Sequence, residues 1–298
     1  MSAMARRGSL SEEEFTMKLM SFKHKGRESY GAVVDGGVVD LGRRLGKKFP
    51  TLKALLAGNG LPTARRLVKG AKPDLRLSQV SFLPVITAPD KILAIGLNYA
   101  DHAAEAGVKA PSKPVVFVRF ANSHVGHEQA IVKPKESEQY DYEVELCIVI
   151  GKRARRVAAK DALKHVAGYT IYHDGSVRDW QFHGSQFTPG KNFPKSGAVG
   201  PWLVTSDELK DPSKLRLTTK INGRTLQDST TAQLIFPVEE LVAYCSGFTT
   251  LEPGDLIPTG TPHGVGFARK PPVFMKKGDV VEMEIEGIGV LRNKVAEG

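Results

Sequence analysis

Short runs of hydrophobic residues, separated by glycine, proline and polar pairs, recur along most of the chain and predict a protein built mainly from strands. Strands are predicted at residues 91–97, 141–150, 166–173, 280–288 and 289–291. Asp35-Gly36 lies between two apolar runs and predicts a β-hairpin over residues 30–40. Helical patterns cover residues 51–58, 65–71 and 238–248. The pattern as a whole predicts an α+β fold in which β-structure dominates.

Composition divides the chain into three predicted parts. Residues 1–16 are polar and charged, which favours a flexible N-terminal extension. Residues 17–80 are predicted to form a small basic N-terminal domain of α/β character. A segment rich in proline at residues 83–89 then leads into a larger domain, predicted at residues 85–298, which carries the candidate chemistry.

The net charge of +10 raises the question of a nucleic-acid partner. Residues 1–80 hold 16 Lys and Arg against 7 Asp and Glu, so most of the basic excess lies outside the larger predicted domain. The sequence contains no zinc-finger, RNP-like or phosphate-loop motif that would turn this charge into recognition. We therefore expect no nucleic-acid partner, and a basic nucleic-acid-binding protein remains a non-enzyme alternative.

Apolar runs and cysteines bear on the cellular compartment. No apolar run approaches the 18 residues that a membrane span requires, and the first residues lack a long apolar stretch, so no membrane association is expected. The chain has only two cysteines, Cys147 and Cys245, both in apolar surroundings, and we expect reduced core residues. The default prediction is a cytoplasmic location.

Two glutamates interrupt the apolar strand predicted at residues 141–150. Side chains alternate along a strand, so Glu143 and Glu145 point the same way, with Cα atoms roughly 7 Å apart. Cys147 and Val149 continue that face, which favours burial, and two buried carboxylates require a cation. The alternative is a solvated face of a half-buried antiparallel strand, where charged residues are common.

A third acidic residue, Asp174, stands at the end of the strand predicted at residues 166–173. Three carboxylates with water suit a hard divalent cation such as Mg²⁺, Mn²⁺ or Ca²⁺, whereas zinc prefers nitrogen and sulfur ligands. The alternative for Asp174-Gly175 by itself is an ordinary turn after a strand.

A short alanine-rich helix is predicted after Asn98 and ends at Gly107. Asn98 is a candidate N-cap, with Asp101 at the capping-box position. His102 and Glu105 are three residues apart, so they share a face and can pair. A carboxylate beside an imidazole fixes its tautomer and raises its basicity, which suits a general base; the alternative is a surface ion pair.

A loop is predicted at residues 259–262, where glycine and proline interrupt any strand. Its backbone N–H groups and threonine hydroxyls could hold a carboxylate or carbonyl group of a ligand. The alternative is a plain turn between strands.

Together these pieces resemble the fumarylacetoacetate hydrolase family. The matching motifs are Gly-Leu-Asn-Tyr-Ala-Asp-His at 96–102, Asp-Tyr-Glu-Val-Glu-Leu at 141–146, His-Asp-Gly-Ser-Val-Arg-Asp-Trp-Gln at 173–181, Phe-Thr-Pro-Gly-Lys-Asn-Phe at 187–193, Leu-Glu-Pro-Gly-Asp at 251–255 and Thr-Gly-Thr-Pro-His-Gly-Val-Gly at 259–266. Their order over about residues 85–295 is specific for the superfamily and much less specific for the substrate. His263 departs from the pattern, because glycine is more usual there.

The resemblance implies a roll of mixed β-sheets with few helices and a homodimer. It also implies that Glu143, Glu145 and Asp174 bind a divalent metal, either Mg²⁺ or Mn²⁺, with Ca²⁺ as a further option. The implied catalytic residues are His102, Glu105 and Lys191. The implied substrate-binding residues are Arg178, Gln181, Thr259, Gly260 and Thr261.

The activity that the resemblance implies is metal-dependent hydrolysis of a carbon–carbon bond in a diketo acid, with His102 as the base for water. Alternatives on the same metal site are an oxaloacetate-type decarboxylase and a 2-keto-4-pentenoate-type hydratase or isomerase. A keto-acid-binding protein without catalysis is a further alternative from another class. Candidate contributors to the pocket for the acyl group are His124, His127, His183, Phe187 and His263.

Overall fold

The computed structural model describes residues 17–298 except residues 106 and 108, and the extension predicted at residues 1–16 lies outside the described residues. The strands are β1 Lys18–His24, β2 Arg27–Val34, β3 Gly37–Asp40, β4 Leu75–Arg76, β5 Ser81–Phe82, β6 Leu93–Gly96, β7 Val115–Val118, β8 His124–Val125, β9 Ile131–Lys133, β10 Tyr140–Asp141, β11 Val144–Ile150, β12 Val166–His173, β13 Ser176–Val177, β14 Gly197–Thr205, β15 Arg216–Ile221, β16 Arg224–Thr230, β17 Leu256–Pro258, β18 Val280–Ile285 and β19 Gly289–Glu297. The helices are α1 Leu41–Leu45, α2 Leu52–Ala57, α3 Leu61–Val68, α4 Ala100–Glu105, α5 Ala159–Ala162, α6 Arg178–Gln181, α7 Thr188–Lys191 and α8 Val238–Phe248.

The strands form two principal sheets. The larger runs in the order β17-β11-β12-β14-β1-β2-β3-β4, with β5 beside β1 and β8 beside β14. The second runs in the order β16-β15-β18-β19-β9, and two small sheets join β6 to β7 and β10 to β13. Most neighbouring strands are antiparallel. The parallel pairs are β8 with β14 and β9 with β19. The predicted mainly-β α+β fold with few helices is confirmed.

Local sequence patterns correctly predicted the positions of several elements. The hairpin between β2 and β3 turns at Asp35 and Gly36, whose φ angles of 47° and 70° match the left-handed conformation that this dipeptide favours. Strand β12 and helix α8 have the predicted bounds. Helix α3 begins at Leu61 instead of residue 65, because Pro62 is tolerated in the first turn of a helix, where its missing N–H costs nothing.

The larger sheet is buried on both faces. One core joins Val144, Leu146 and Ile148 of β11 to residues of β15, β18 and β19 from the second sheet. The other core joins Cys147 and Val149 of β11 to the helices α2 and α3. Both cysteines are free and buried, as predicted. A strand enclosed in this way places any acidic residue on it in a low-dielectric environment.

The predicted N-terminal domain at residues 17–80 shares the larger sheet with the predicted catalytic domain. Strand β1 pairs with β14, with Lys18 opposite Val204 and Leu19 opposite Leu203. The division at residues 80–85 therefore runs across a continuous sheet, and it stays a prediction. Within the described residues, no helix has the length and apolar character needed to cross a bilayer.

Candidate active site

Three acidic side chains meet at one edge of the larger sheet. Strands β11 and β12 are antiparallel, with Val144 opposite His173, so the residue before β11 lies beside the residue after β12. These residues are Glu143 and Asp174, and the Asp174 N–H donates to the Glu143 carbonyl at 3.0 Å. Glu145 follows on β11, and one oxygen from each carboxylate lies within 4.8 Å of the others. The predicted convergence of three carboxylates is therefore present, and all three are buried.

Three cationic side chains surround this cluster. Lys191 Nζ, at the end of α7, donates to Glu143 Oε2 at 2.8 Å and to Asp174 Oδ2 at 2.6 Å. Arg178, at the start of α6, pairs with Glu143 at 2.6 Å. Arg119 pairs with Asp174. Burial acts to raise the pKa of Asp174, but Lys191 and Arg119 outweigh it and hold that pKa below its ordinary value.

Glu145 differs from its two neighbours. It forms no salt bridge within the described part of the chain, and its Oε2 accepts a hydrogen bond from the Gly260 N–H at 2.9 Å. Burial, followed by the negative charges of Asp174 and Glu143, raises its pKa well above the ordinary range. A buried carboxylate in this position requires a further positive charge to remain ionised.

These residues fit a divalent-metal site. The cluster offers oxygen donors only, which hard cations such as Mg²⁺ and Mn²⁺ prefer. A cation among Glu143, Glu145 and Asp174 supplies the positive charge that Glu145 lacks. Lys191 contacts one oxygen of each of two of these carboxylates, Glu143 and Asp174, a position that suits a group orienting metal ligands.

His102 and Glu105 pair on helix α4. The His102 Nδ1 lies 3.3 Å from Glu105 Oε2, and the imidazole is buried. The Gly264 N–H donates to both Glu105 oxygens, at 3.0 and 3.1 Å, so the loop holds the carboxylate in place. Burial tends to raise the pKa of Glu105, while the hydrogen bonds from His102 and Gly264 more than offset it and lower that pKa.

The predicted cap of α4 was wrong. The Asn98 side chain accepts from the Phe236 N–H at 2.8 Å and donates to the Thr259 carbonyl at 2.8 Å. Asp101 forms no capping box; its carboxylate accepts from Ser229 Oγ at 2.7 Å and pairs with His263 Nδ1 at 2.8 Å. Asn98 is fully buried, and leaving the buried backbone groups of distant segments without hydrogen bonds would cost more free energy than leaving a short helix uncapped.

The loop at residues 259–261 differs from the prediction in detail. Thr259 Oγ1 donates to the Leu146 carbonyl at 2.9 Å and does not border the cavity described below. The Gly260 N–H is taken by Glu145. Thr261 does border the cavity, and its hydroxyl accepts from Gln227 Nε2 at 2.9 Å. The loop thus positions a candidate metal ligand and presents one hydroxyl, instead of the open set of donors that was expected.

A cavity of about 300 Å³ joins these groups. It is lined by Ile95, Gly96, Leu97, His102, Phe117, Glu143, Glu145, Asp174, Arg178, Gln181, Phe182, Phe187, Lys191, Thr261 and Phe267. Of the predicted contributors to an acyl pocket, Phe187 lines it. His124, His127, His183 and His263 do not. His124 is instead enclosed against Tyr172, and burial, followed by the charge of Arg119, holds its pKa well below the ordinary range.

Two residues of the site were missed in the sequence. Arg119 follows the apolar residues of β7, and a single arginine that ends a hydrophobic strand was the only available signal. It also donates to Ser196 Oγ at 3.2 Å, which ties Asp174 to the start of β14. Gln227 donates to Thr261 and the Pro262 carbonyl, while its Oε1 accepts from the Val144 N–H at 3.1 Å. Nothing in the alternation of β16 distinguishes Gln227 from a surface glutamine.

Comparison with known proteins identifies the family. A family model for the C-terminal domain of fumarylacetoacetate (FAA) hydrolase matches residues 91–296. The chain belongs to the fumarylacetoacetate hydrolase family. Its relatives include the mitochondrial oxaloacetate tautomerase Fahd2a of Rattus norvegicus, 44% identical over 94% of this chain and 91% of that protein. The human oxaloacetate tautomerase FAHD2A, also mitochondrial, is 47% identical over 79% of this chain and 76% of that protein.

Solved structures of this family share the fold. Fumarylacetoacetate hydrolase from Exiguobacterium antarcticum superposes with a TM-score of 0.78 at 34% identity, covering 95% of this chain and 100% of that one. Maleylpyruvate hydrolase from Sphingobium sp. SYK-6, solved with manganese(II) and pyruvate, gives a TM-score of 0.78 at 28% identity over the same shares. The resemblance seen in the motifs is confirmed, and the protein is an enzyme of this superfamily with a divalent-metal site.

Proposed function

We propose that the protein is a divalent-metal-dependent enzyme that interconverts the keto and enol forms of a 2-keto acid, with oxaloacetate as the first substrate to test. One observation carries the proposal: the acidic cluster of Glu143, Glu145 and Asp174, the ammonium of Lys191 and the imidazole of His102 line the same cavity. The rat relative with this activity, 44% identical over 94% of the chain, supports it. Tautomerisation thereby replaces carbon–carbon bond hydrolysis as the favoured reaction.

Glu143, Glu145 and Asp174 would hold Mg²⁺ or Mn²⁺, with Ca²⁺ as a further option. A divalent cation held there would supply Lewis-acid stabilisation of the negative charge that develops on the oxygens of a keto acid. Arg178 pairs with Asp141 at 2.8 Å as well as with Glu143. This buried guanidinium therefore holds the Glu143 carboxylate, one of the candidate metal ligands, in a fixed orientation.

Keto–enol conversion moves one proton between C3 and the C2 oxygen of the keto acid and breaks no carbon–carbon bond. His102 Nδ1 faces Glu105, so Nε2 is the nitrogen that exchanges a proton with C3, while the proton on the C2 oxygen exchanges with solvent water. The Glu105 carboxylate fixes the tautomer of the imidazole. The Lys191 ammonium borders the cavity while it donates to Glu143 and Asp174, so its fixed positive charge lies beside the developing negative charge, a form of preorganised electrostatic stabilisation.

The direct test follows the decay of the oxaloacetate enol in ultraviolet absorbance, with the protein stripped of metal by a chelator and then reloaded with Mn²⁺. We expect little acceleration from the stripped protein and full recovery on reloading. Glu145→Gln should abolish that recovery, whereas Asp228→Asn, which removes a carboxylate from an exposed pair with Arg216, should not. Equal enol decay with and without the reloaded protein would refute the proposal.

A second candidate is hydrolysis of a carbon–carbon bond in an acylpyruvate. The His102–Glu105 pair is also suited to taking a proton from water, and the maleylpyruvate hydrolase from Sphingobium shares the fold. Product analysis distinguishes the two reactions, because hydrolysis of acetylpyruvate releases acetate and pyruvate while tautomerisation changes no carbon skeleton. The same analysis with oxaloacetate tests the decarboxylase alternative through release of pyruvate and carbon dioxide, and a hydrated or isomerised 2-keto-4-pentenoate would reveal the hydratase or isomerase.

Two expectations accompany the proposal: a homodimer, which the family resemblance implies, and a cytoplasmic location, which is the default prediction from the apolar runs and the cysteines. Light scattering on the purified chain would measure the oligomeric state. The rat and human relatives are mitochondrial, so localisation of the full-length protein in its own cell is the test of the compartment.

A further inference from the structure

Four phenylalanines line the same cavity as the carboxylates, and we call them the phenylalanine collar: Phe117, Phe182, Phe187 and Phe267. The rings of Phe117 and Phe187 meet edge to face with centroids 5.7 Å apart, and those of Phe182 and Phe267 lie 6.2 Å apart. Phe182 is 59% exposed, which marks the solvent end of the cavity, while the carboxylates at the other end are buried. A keto acid that reaches the acidic cluster therefore extends its remaining atoms between aromatic rings.

Among the described residues that line the cavity, no lysine or arginine is free to receive a second carboxylate. Among its described lining residues the lysine and arginine are Lys191 and Arg178, and both are already paired with buried acidic groups. Collar rings also cover both charges: Phe267 lies 4.6 Å from the Arg178 guanidinium carbon and Phe117 lies 5.1 Å from Lys191 Nζ. A distal carboxylate placed in the collar would lose its hydration and gain no ionic partner, which is unfavourable.

We infer that the phenylalanine collar makes this site selective for 2-keto acids whose C3 substituent is apolar and planar, such as arylpyruvates, over keto dicarboxylates such as oxaloacetate. The inference rests on the proposed function, which defines the reacting 2-keto acid group of the substrate. It adds the chemical class of the substituent at C3. An aromatic substituent gains stacking and apolar contact with the collar. Because a single methylene in an apolar pocket changes selectivity by about 10-fold or more, we expect a preference of at least about 10-fold for the aryl compound.

Binding of compounds that cannot enolise tests the inference without catalysis. L-3-Phenyllactate and L-malate carry the same 2-hydroxy acid group and differ at the far end as phenylpyruvate and oxaloacetate do. With Mn²⁺ present, calorimetry should show phenyllactate binding about 10-fold more tightly than malate. Phe182→Lys, which places a cation at the solvent end, should shift that ratio towards malate by about 10-fold. Phe248→Lys, a matched change at a phenylalanine that is 55% exposed and lies outside the cavity, should leave the ratio unchanged.

Kinetics with the enols of phenylpyruvate and oxaloacetate provide the second measurement. The wild-type kcat/KM should favour phenylpyruvate by about 10-fold, and Phe182→Lys should reduce that preference. Malate binding as tightly as phenyllactate, or a ratio that Phe182→Lys does not move, would overturn the inference. If neither enol is turned over, the proposed tautomerase function fails, and the ratio of phenyllactate to malate binding still decides the inference by itself.

Discussion

Replacing Lys191 with methionine removes one ammonium group from the acidic cluster and leaves a side chain of similar length. In the structure this ammonium lies 2.8 Å from Glu143 and 2.6 Å from Asp174, and all three side chains are almost completely buried. Without it, each carboxylate keeps a single arginine, and Glu145 still has no cationic partner in the described chain. The change therefore raises the amount of uncompensated negative charge in the protein interior.

The expected cost depends on whether the metal is bound. Removing one partner of a buried ion pair typically costs about 3–5 kcal/mol, because a buried charge is left uncompensated. We expect a loss of this size in the free energy of unfolding of the metal-free Lys191→Met protein. A bound divalent cation compensates the same carboxylates, so the loss should be smaller in excess Mn²⁺. By linkage, the added stability that Mn²⁺ confers should be larger in the variant than in the wild type.

Urea unfolding, with a chelator and then with excess Mn²⁺, measures both quantities. Lys277→Met is the matched control, because Lys277 pairs with Glu297 at 3.2 Å on the surface, where an ion pair is worth about 0–1 kcal/mol. The control should lose little stability under either condition. Equal losses for Lys191→Met with and without Mn²⁺ would show that the cation does not bind among these carboxylates, and the reasoning would be refuted.

Three further predictions concern the base, the α4 contacts and the backbone at the metal site. His102→Ala should lower kcat for enol decay by about a hundred- to ten-thousand-fold, with metal affinity by calorimetry unchanged, whereas His183→Ala, outside the cavity, should leave kcat within about twofold. Burial acts to raise the pKa of Asp101, but the hydrogen bonds from Ser229 and His263 outweigh it and hold that pKa below its ordinary value of 3.8. The ionised carboxylate therefore stabilises the folded protein above pH 3.8, and this contribution is lost as the pH falls through the folded-state pKa. Urea unfolding should show Asp101→Asn less stable than wild type at neutral pH, with the gap closing in acid; a gap that does not depend on pH would contradict this assignment. Gly175→Ala should destabilise the protein by about 1–3 kcal/mol and weaken Mn²⁺ binding, because a Cβ there would clash with the Ser196 carbonyl oxygen. Gly184→Ala, where a Cβ would have no atom within 4 Å, should change neither stability nor Mn²⁺ binding. Equal effects at both positions would argue against the steric cause.

Local sequence signals determined much of the fold. The Asp35-Gly36 dipeptide specifies its own turn, and the apolar run of β12 ends at the acidic residue, as its pattern indicated. Alternation along residues 143–149 also placed two glutamates on one face of a buried strand before any partner was known. These features depend on neighbours only a few residues away, so they can be read without the tertiary structure.

Two polar residues of the site could not be predicted in the same way. Arg119 and Gln227 reach the cluster and the loop from β7 and β16, far from either in sequence, and neither belongs to a pattern that marks function. Asn98 and Asp101 were predicted to cap α4 because both are good local caps, yet each bonds to a distant segment. Competition between a local and a distant partner is decided by burial, which a local pattern does not reveal.

The sequence by itself determined the mainly-β architecture, the shared face of Glu143 and Glu145 and the His102–Glu105 spacing, since each follows from strand alternation or helical periodicity. Only the tertiary structure decided which cation faces which carboxylate, that the Gly260 N–H donates to Glu145, and that four aromatic rings line the same cavity. These contacts join segments up to 115 residues apart, and they form because buried charge must be compensated wherever the chain brings it.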